Sequence, residues 1–230
     1  MSSWSLALEP SFFHGAAFWV AWTLFPVDSR LRFMIGLTLG ALLTRVAWAG
    51  LHFSLWLEAP WSLMDRSGGF SVLALPVGLL LVAPYLSAPG GGQAYRAAAA
   101  RAVVPALAVA RLGCVWWGCC GGRVSALGLA HPVAVYEAIF WFGLGFLLRR
   151  VSDSQAPGLW LVAFGAIRLG LEPLRSAPPL GPPEVDVSVL AGTWLGLGLL
   201  TLYFDRRVCG ASGLEMEAFA PLNAQEPGGR

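Results

Sequence analysis

The sequence predicts an all-α bundle of about seven membrane-spanning helices, and three observations carry that expectation. Of the 230 residues, 57% are hydrophobic and only 12% are charged, roughly half the charged share of a soluble domain. The apolar residues fall in long runs, and crossing a hydrocarbon core of about 30 Å takes roughly 20 helical residues. The breaks between runs are short, so none of them could fold as a separate water-soluble domain. This composition excludes a solvated globular enzyme, a disordered chain and a secreted disulfide scaffold. The net charge is +2 and every basic side chain but histidine is Arg. These arginines are scattered, which gives no basic patch for nucleic acid.

In chain order the expected spans are residues 11–27, 33–57, 70–87, 97–117, 132–148, 158–174 and 187–204. The first lacks a basic segment before it, since Glu9 is the only charge there. No small-x-small cleavage site follows, so it reads as a helix of the mature protein and not as a signal peptide. The second carries Gly36-x-x-x-Gly40, and the seventh carries Gly192-x-x-x-Gly196; both match the small-residue spacing of close helix packing. The fourth closes on Trp116-Trp117, where a cavity lining is one expectation. The fifth opens at His131-Pro132, with proline where a first turn tolerates it. Residues 1–208 therefore form one membrane domain. The stretch 209–230, rich in Gly, Pro, Ala and Glu, reads as a disordered tail.

Arginine counts in alternate breaks set the orientation. One set holds Arg30, Arg32, Arg96, Arg149, Arg150, Arg206 and Arg207; the other holds Arg66, Arg123 and Arg175. The richer set is expected in the cytoplasm, with the N-terminus outside and the C-terminus inside. The tryptophans Trp4, Trp56, Trp61 and Trp160 then read as an interfacial belt.

Charges within the spans carry more information, because an ionisable group at the bilayer centre costs a few kcal/mol. They are Arg45, Arg101, Arg111, Glu137, Arg168 and Glu172. Arg168, Glu172 and Arg175 fall at i, i+4 and i+7, one stripe of one helix; Arg111 and Cys114 at i, i+3 form a second face. Mutual neutralisation accounts for paired charges. It leaves an excess of arginine near the outer leaflet, where Arg111, Arg123, Arg168 and Arg175 outnumber Glu137 and Glu172. Surplus guanidinium calls for an anion, and a bilayer offers the phosphodiester head group, which Arg grips bidentately. Cys114, Cys119 and Cys120 match no zinc spacing, but a disulfide from Cys114 to either neighbour fits an oxidising outer face. His14 and His52 are isolated and read as packed or interfacial side chains.

Three blocks in order resemble one family. Ala110-Arg111-Leu112-Gly113-Cys114-Val115-Trp116-Trp117-Gly118-Cys119-Cys120-Gly121-Gly122-Arg123 resembles the G-R-x-G-N-F-x-N-G-x-x-x-G-R pattern of bacterial prolipoprotein diacylglyceryl transferases. His131-Pro132-Val133-Ala134-Val135-Tyr136-Glu137 resembles that family's H-P-S-Q-L-Y-E. Phe164-Gly165-Ala166-Ile167-Arg168-Leu169-Gly170-Leu171-Glu172-Pro173-Leu174-Arg175 resembles its Y-G-x-x-R-x-x-x-E-x-x-R, and Ser67-Gly68-Gly69 is a weaker likeness to its H-G-G. The resemblance implies an enzyme of the bacterial inner membrane that moves a diacylglyceryl group from phosphatidylglycerol to the lipobox cysteine of a prolipoprotein, with no cofactor. Arg111 and Arg168 are then the expected phosphate-binding catalytic residues. Gly122, Arg123, Tyr136, Glu137, Glu172 and Arg175 complete the substrate-binding set, with Glu172 holding Arg168 in place.

The departures fall on the proton-handling half of the pattern. Ser67 stands where the family has histidine, Phe164 where it has tyrosine, and Cys114 and Trp117 where it has asparagines. Only seven residues separate Arg123 from His131, too few for the family's larger outer insert. His131 is the imidazole available as a replacement base. A paralogue with another acceptor, and a lipid-binding protein without chemistry, are the two alternatives the sequence leaves open.

Overall fold

Small side chains on one helix set the centre of the bundle. A computed structural model describes residues 10–58, 60, 75–81, 92–117, 121–176 and 187–218. Among them are seven α-helices: α1 (Pro10–Leu24), α2 (Arg30–Leu51), α3 (Phe53–Glu58), α4 (Gly92–Trp117), α5 (Val133–Leu148), α6 (Gln155–Leu171) and α7 (Val187–Ala218). Ala97, Ala99, Ala100, Ala102, Val104 and Ala108 of α4 are fully buried. Their short side chains let α1, α5 and α6 approach its backbone closely, as expected where dispersion contacts drive helix association. Pro105 lies inside α4. It removes one ladder hydrogen bond, and Gly145 of α5 leaves room beside its ring.

α6 and α7 pack even more tightly, and glycine makes that possible. A Cβ on Gly165 would lie 2.5 Å from the Ala191 carbonyl oxygen, and one on Gly198 would lie 2.5 Å from the Val162 nitrogen. The sequence pointed to Gly192 and Gly196 instead. A Cβ at either would meet nothing within 4 Å, because these two look away from α6. Gly36 and Gly40 behave as expected: they face Tyr95 and the π turn Val77–Leu81, where Gly78 comes against Gly40.

Three helical stretches are long and apolar enough to cross a membrane: Val27–Leu51, Gly92–Trp116 and Val187–Asp205. Phe12–Leu24 and Val133–Leu148 are apolar but shorter. α6 has 17 residues, below the roughly 20 that a perpendicular span requires; a 3-10 turn, Glu172–Leu174, prolongs it. The second expected span is interrupted at His52, whose backbone leaves the helix at φ −130 and ψ 52. Most of the third, along with Trp4, Trp61 and Ser67, lies outside the described residues. α7 continues to Ala218, beyond Cys209, where the sequence reading began a tail; Leu214, Glu215, Met216 and Glu217 are good helix formers. Val189, Leu199, Leu200, Tyr203 and Phe204 of α7 are exposed, which is compatible with a face toward lipid.

One tryptophan expectation changes. Trp160 belongs to the core and is fully buried, not interfacial, because it points from α6 into the bundle. Trp116 is exposed, and the Trp117 side chain lies outside the described residues.

Because α4, α5 and α6 alternate in direction, the charged side chains gather at opposite ends. At one end Arg101 closes the loop after α5. It donates from Nε to the Leu148 carbonyl at 2.9 Å and from Nη2 to that of Val151 at 2.7 Å, and it pairs with Asp153. Ser154 Oγ donates to Asp205 Oδ2 at 2.7 Å, tying the start of α6 to α7. A charge that reads as intramembrane in sequence therefore caps helix-end carbonyls, as cations near C-termini do.

Gly165→Val is expected to lower stability by about 1–3 kcal/mol, because overpacking must push α7 away. Gly192→Val is expected to change it little, and thermal unfolding of the two variants in detergent separates the two glycine pairs.

Candidate functional site

The opposite end of the bundle holds five charged groups. Arg111 comes from the end of α4, Glu137 from the second turn of α5 and Arg168 from the last turn of α6; Glu172 opens the 3-10 turn. Arg175 lies just past that turn in extended backbone, at φ −78 and ψ 142. The expected single helical stripe of Arg168, Glu172 and Arg175 is therefore broken. Pro173 follows Glu172, and its missing N–H ends the α-helical ladder. The three groups still converge, because the chain turns back over the end of α6.

Glu137 is the centre of the cluster. Its side chain is 1% exposed, and those of Arg111, Arg168 and Arg175 are 12–16% exposed. Arg111 Nε pairs with Oε2, while Arg175 Nη2 donates to Oε1. Arg168 Nη1 lies 3.7 Å from the same Oε1. Burial of one carboxylate alone would be prohibitive, and three surrounding guanidinium groups make it possible. Glu172 stands at the rim, 31% exposed, with Oε2 at 3.4 Å from Arg168 Nη2 and 3.5 Å from Arg175 Nε. Neither approach makes a hydrogen bond, and the Nε atoms of Arg168 and Arg175 are buried without a hydrogen-bond partner. Three arginines and two glutamates leave one positive charge uncompensated.

A short hairpin holds Arg175 in place. Gly122 bridges to Arg175 and Val124 to Ala130. Arg123 N donates to the Leu174 carbonyl at 2.8 Å, and Arg123 Nε donates to the Arg175 carbonyl at 3.0 Å. Ser176 donates from N and Oγ to the Gly121 carbonyl at 3.2 and 2.6 Å. Gly122 N also donates to the His131 carbonyl. A Cβ at Gly122 would fall 2.3 Å from that oxygen and 2.9 Å from the Leu174 oxygen, so only glycine fits. Gly128 turns the tip with φ +76, a conformation that other residues rarely adopt.

Of the expected site residues, Arg111, Glu137, Arg168, Glu172 and Arg175 are thus brought together. Gly122 and Arg123 act on the backbone that carries Arg175, and the Arg123 side chain is exposed. The His131 ring meets Tyr136 edge-on at a centroid distance of 6.4 Å, and Tyr136 is exposed on the neighbouring face of α5. Arg111 Nη1 donates to Cys114 Sγ at 3.8 Å, as their spacing implies. Cys119 and Cys120 lie outside the described residues, and the expected disulfide with them. Phe164 is buried against Trp141, at a centroid distance of 5.7 Å. His52 stacks on Trp48, and its Nδ1 lies 3.1 Å from the Trp48 carbonyl. Among the described residues no group of three His, Cys, Asp or Glu could hold a metal.

Sequence reasoning missed Ser176 and the pairing of 121–123 with 174–176. No periodicity announces a bridge of one or two residues, and the pairing depends on two distant segments meeting. Comparison with family models, curated proteins and solved structures finds no match to this chain.

Glu137→Gln is expected to destabilise the protein by about 3–5 kcal/mol, because it leaves buried guanidinium groups without their counter-charge. Arg123→Ala, which removes an exposed side chain, is expected to shift the unfolding midpoint far less. Paired thermal or denaturant unfolding in detergent measures both.

Proposed function

We propose that the chain is a membrane enzyme of the diacylglyceryl transferase type, acting on phosphatidylglycerol in the bacterial inner membrane. The observation that carries this reading is the surplus guanidinium charge around the buried Glu137. Three arginines from three separate segments meet at one end of the bundle, and a phosphodiester is the anion a bilayer presents there. The acceptor in this reading is the lipobox cysteine of a prolipoprotein. Its sulfur forms a bond to the glycerol carbon as the carbon–oxygen bond to phosphate breaks, and glycerol phosphate leaves. The thiol must lose its proton, since the thiolate is the nucleophile. The phosphate that departs gains charge, and Arg111, Arg168 and Arg175 supply fixed positive charge in a water-poor setting.

His131 is the imidazole that takes the thiol proton in this scheme. A second reading, lipid binding without chemistry, draws on Phe164, which is buried against Trp141 and has no hydroxyl where the resembling pattern has tyrosine. A seven-span layout with the N-terminus outside belongs to the same proposal, supported by the asymmetry of arginines in alternate breaks.

Complementation of a bacterium depleted of its own prolipoprotein diacylglyceryl transferase tests the reading. Wild type is expected to restore growth, Arg111→Ala and Arg168→Ala to abolish it, and His131→Ala to abolish turnover while phosphatidylglycerol binding persists. A membrane-inserted wild type that binds the lipid but consumes none with any thiol acceptor establishes the binding-only reading instead.

A further inference from the structure

The two carboxylates of the cluster differ in a way their charge does not reveal. Glu137 is enclosed and touches all three arginines. Glu172 reaches only Arg168 and Arg175, stands at the rim and forms no hydrogen bond through Oε2. Arg175 Nε faces that oxygen at 3.5 Å and has no hydrogen-bond partner. A buried donor left unsatisfied is costly. Glu172 therefore occupies the place of an acceptor without satisfying its donors.

We propose that Glu172 is a displaceable stand-in for the ligand: in the resting protein its carboxylate holds the position that a phosphate group takes between Arg168 and Arg175, and its departure sets the affinity of the site. The inference rests on the reading above that the cluster binds a phosphate ester. Glu172 swings toward solvent by side-chain rotation alone, because the 3-10 turn presents it at the rim. Arg168 Nη2 and the buried Nε–H of Arg175 then face tetrahedral oxygens, where the Glu172 Oε2 at 3.4 and 3.5 Å hydrogen-bonds to neither. Glu137 stays in place and keeps the arginines from repelling one another. With Glu172 withdrawn, three arginines face one carboxylate, enough positive charge for a phosphodiester with one charge to spare. Glu172 is in this account a specificity-determining residue that opposes binding, the reverse of the sequence-based expectation that it holds Arg168 in place.

The two roles predict opposite signs for one variant. Wild type, Glu172→Gln and Glu172→Ser are prepared as the full chain in nanodiscs. One arm uses phosphatidylglycerol in a phosphatidylcholine bilayer as the probe. The other uses inorganic phosphate added to phosphatidylcholine nanodiscs, and the two arms separate a lipid head group from a free phosphate. Both variants are expected to bind the recognised probe about fivefold more tightly than wild type, the effect of losing one screened like charge near 4 Å. Arg168→Met is expected to bind neither probe. Weaker or unchanged binding by both Glu172 variants, with wild type binding normally, overturns the displacement role and leaves the phosphate site standing. If wild type and both variants bind neither probe, the phosphate-site reading falls and this inference with it. Use of serine as well as glutamine keeps the result readable should one of them fail to fold.

Discussion

A single buried carboxylate organises one end of this protein. Burying the Glu137 carboxylate among apolar helices is costly without the three guanidinium groups that surround it, and those three groups repel one another without it. The constraint is mutual and it is topological. Arg111, Glu137, Arg168 and Arg175 belong to α4, α5, α6 and the chain beyond, so their meeting fixes which ends of these helices lie side by side. The hairpin at 121–131 exists in the same service: its backbone pairs with 174–176 and keeps Arg175 over the end of α6.

The other end uses arginine differently. Arg101 spends its donors on the carbonyls of Leu148 and Val151 and pairs with Asp153, which is half-exposed. Each nitrogen of the Arg101 guanidinium has a carbonyl or carboxylate partner, and Ser154 bonds Asp205, so these contacts clasp α4, the loop after α5 and α7. At the Glu137 end the arrangement is looser. One guanidinium charge is uncompensated, and Glu172 touches its partners without hydrogen bonds. The same residue type thus builds a satisfied structural joint at one pole and a cluster with surplus positive charge at the other. Between the poles the bundle is held by small residues, the alanines of α4 and the glycines at the α6–α7 contact, whose close approach sets the helix spacing.

The helical class was legible because it follows from composition and run length, which no tertiary detail alters. So was the set of charges that matter. An arginine or glutamate within an apolar run demands a partner, and Arg111, Glu137, Arg168 and Glu172 were identified on that ground. Spacing served less well. Gly192 and Gly196 have the interval of a packing motif, yet Gly165 and Gly198 make the contact, since a motif names no face. Trp160 lies near a span end in the sequence but points inward. Arg101 reads as a charge within a span, yet its long side chain reaches past the helix end to a loop.

The chain by itself determined that helices must form, that they must be apolar, and that buried arginines must find carboxylates. Those are one-dimensional facts, set by the cost of unsatisfied backbone and charge in an apolar medium. Only the tertiary structure decided which carboxylate is enclosed and which stands at the rim. Glu137 and Glu172 are chemically identical in the sequence. The crossing of α4, α5 and α6 buries the first, and the turn at Pro173 leaves the second open to solvent.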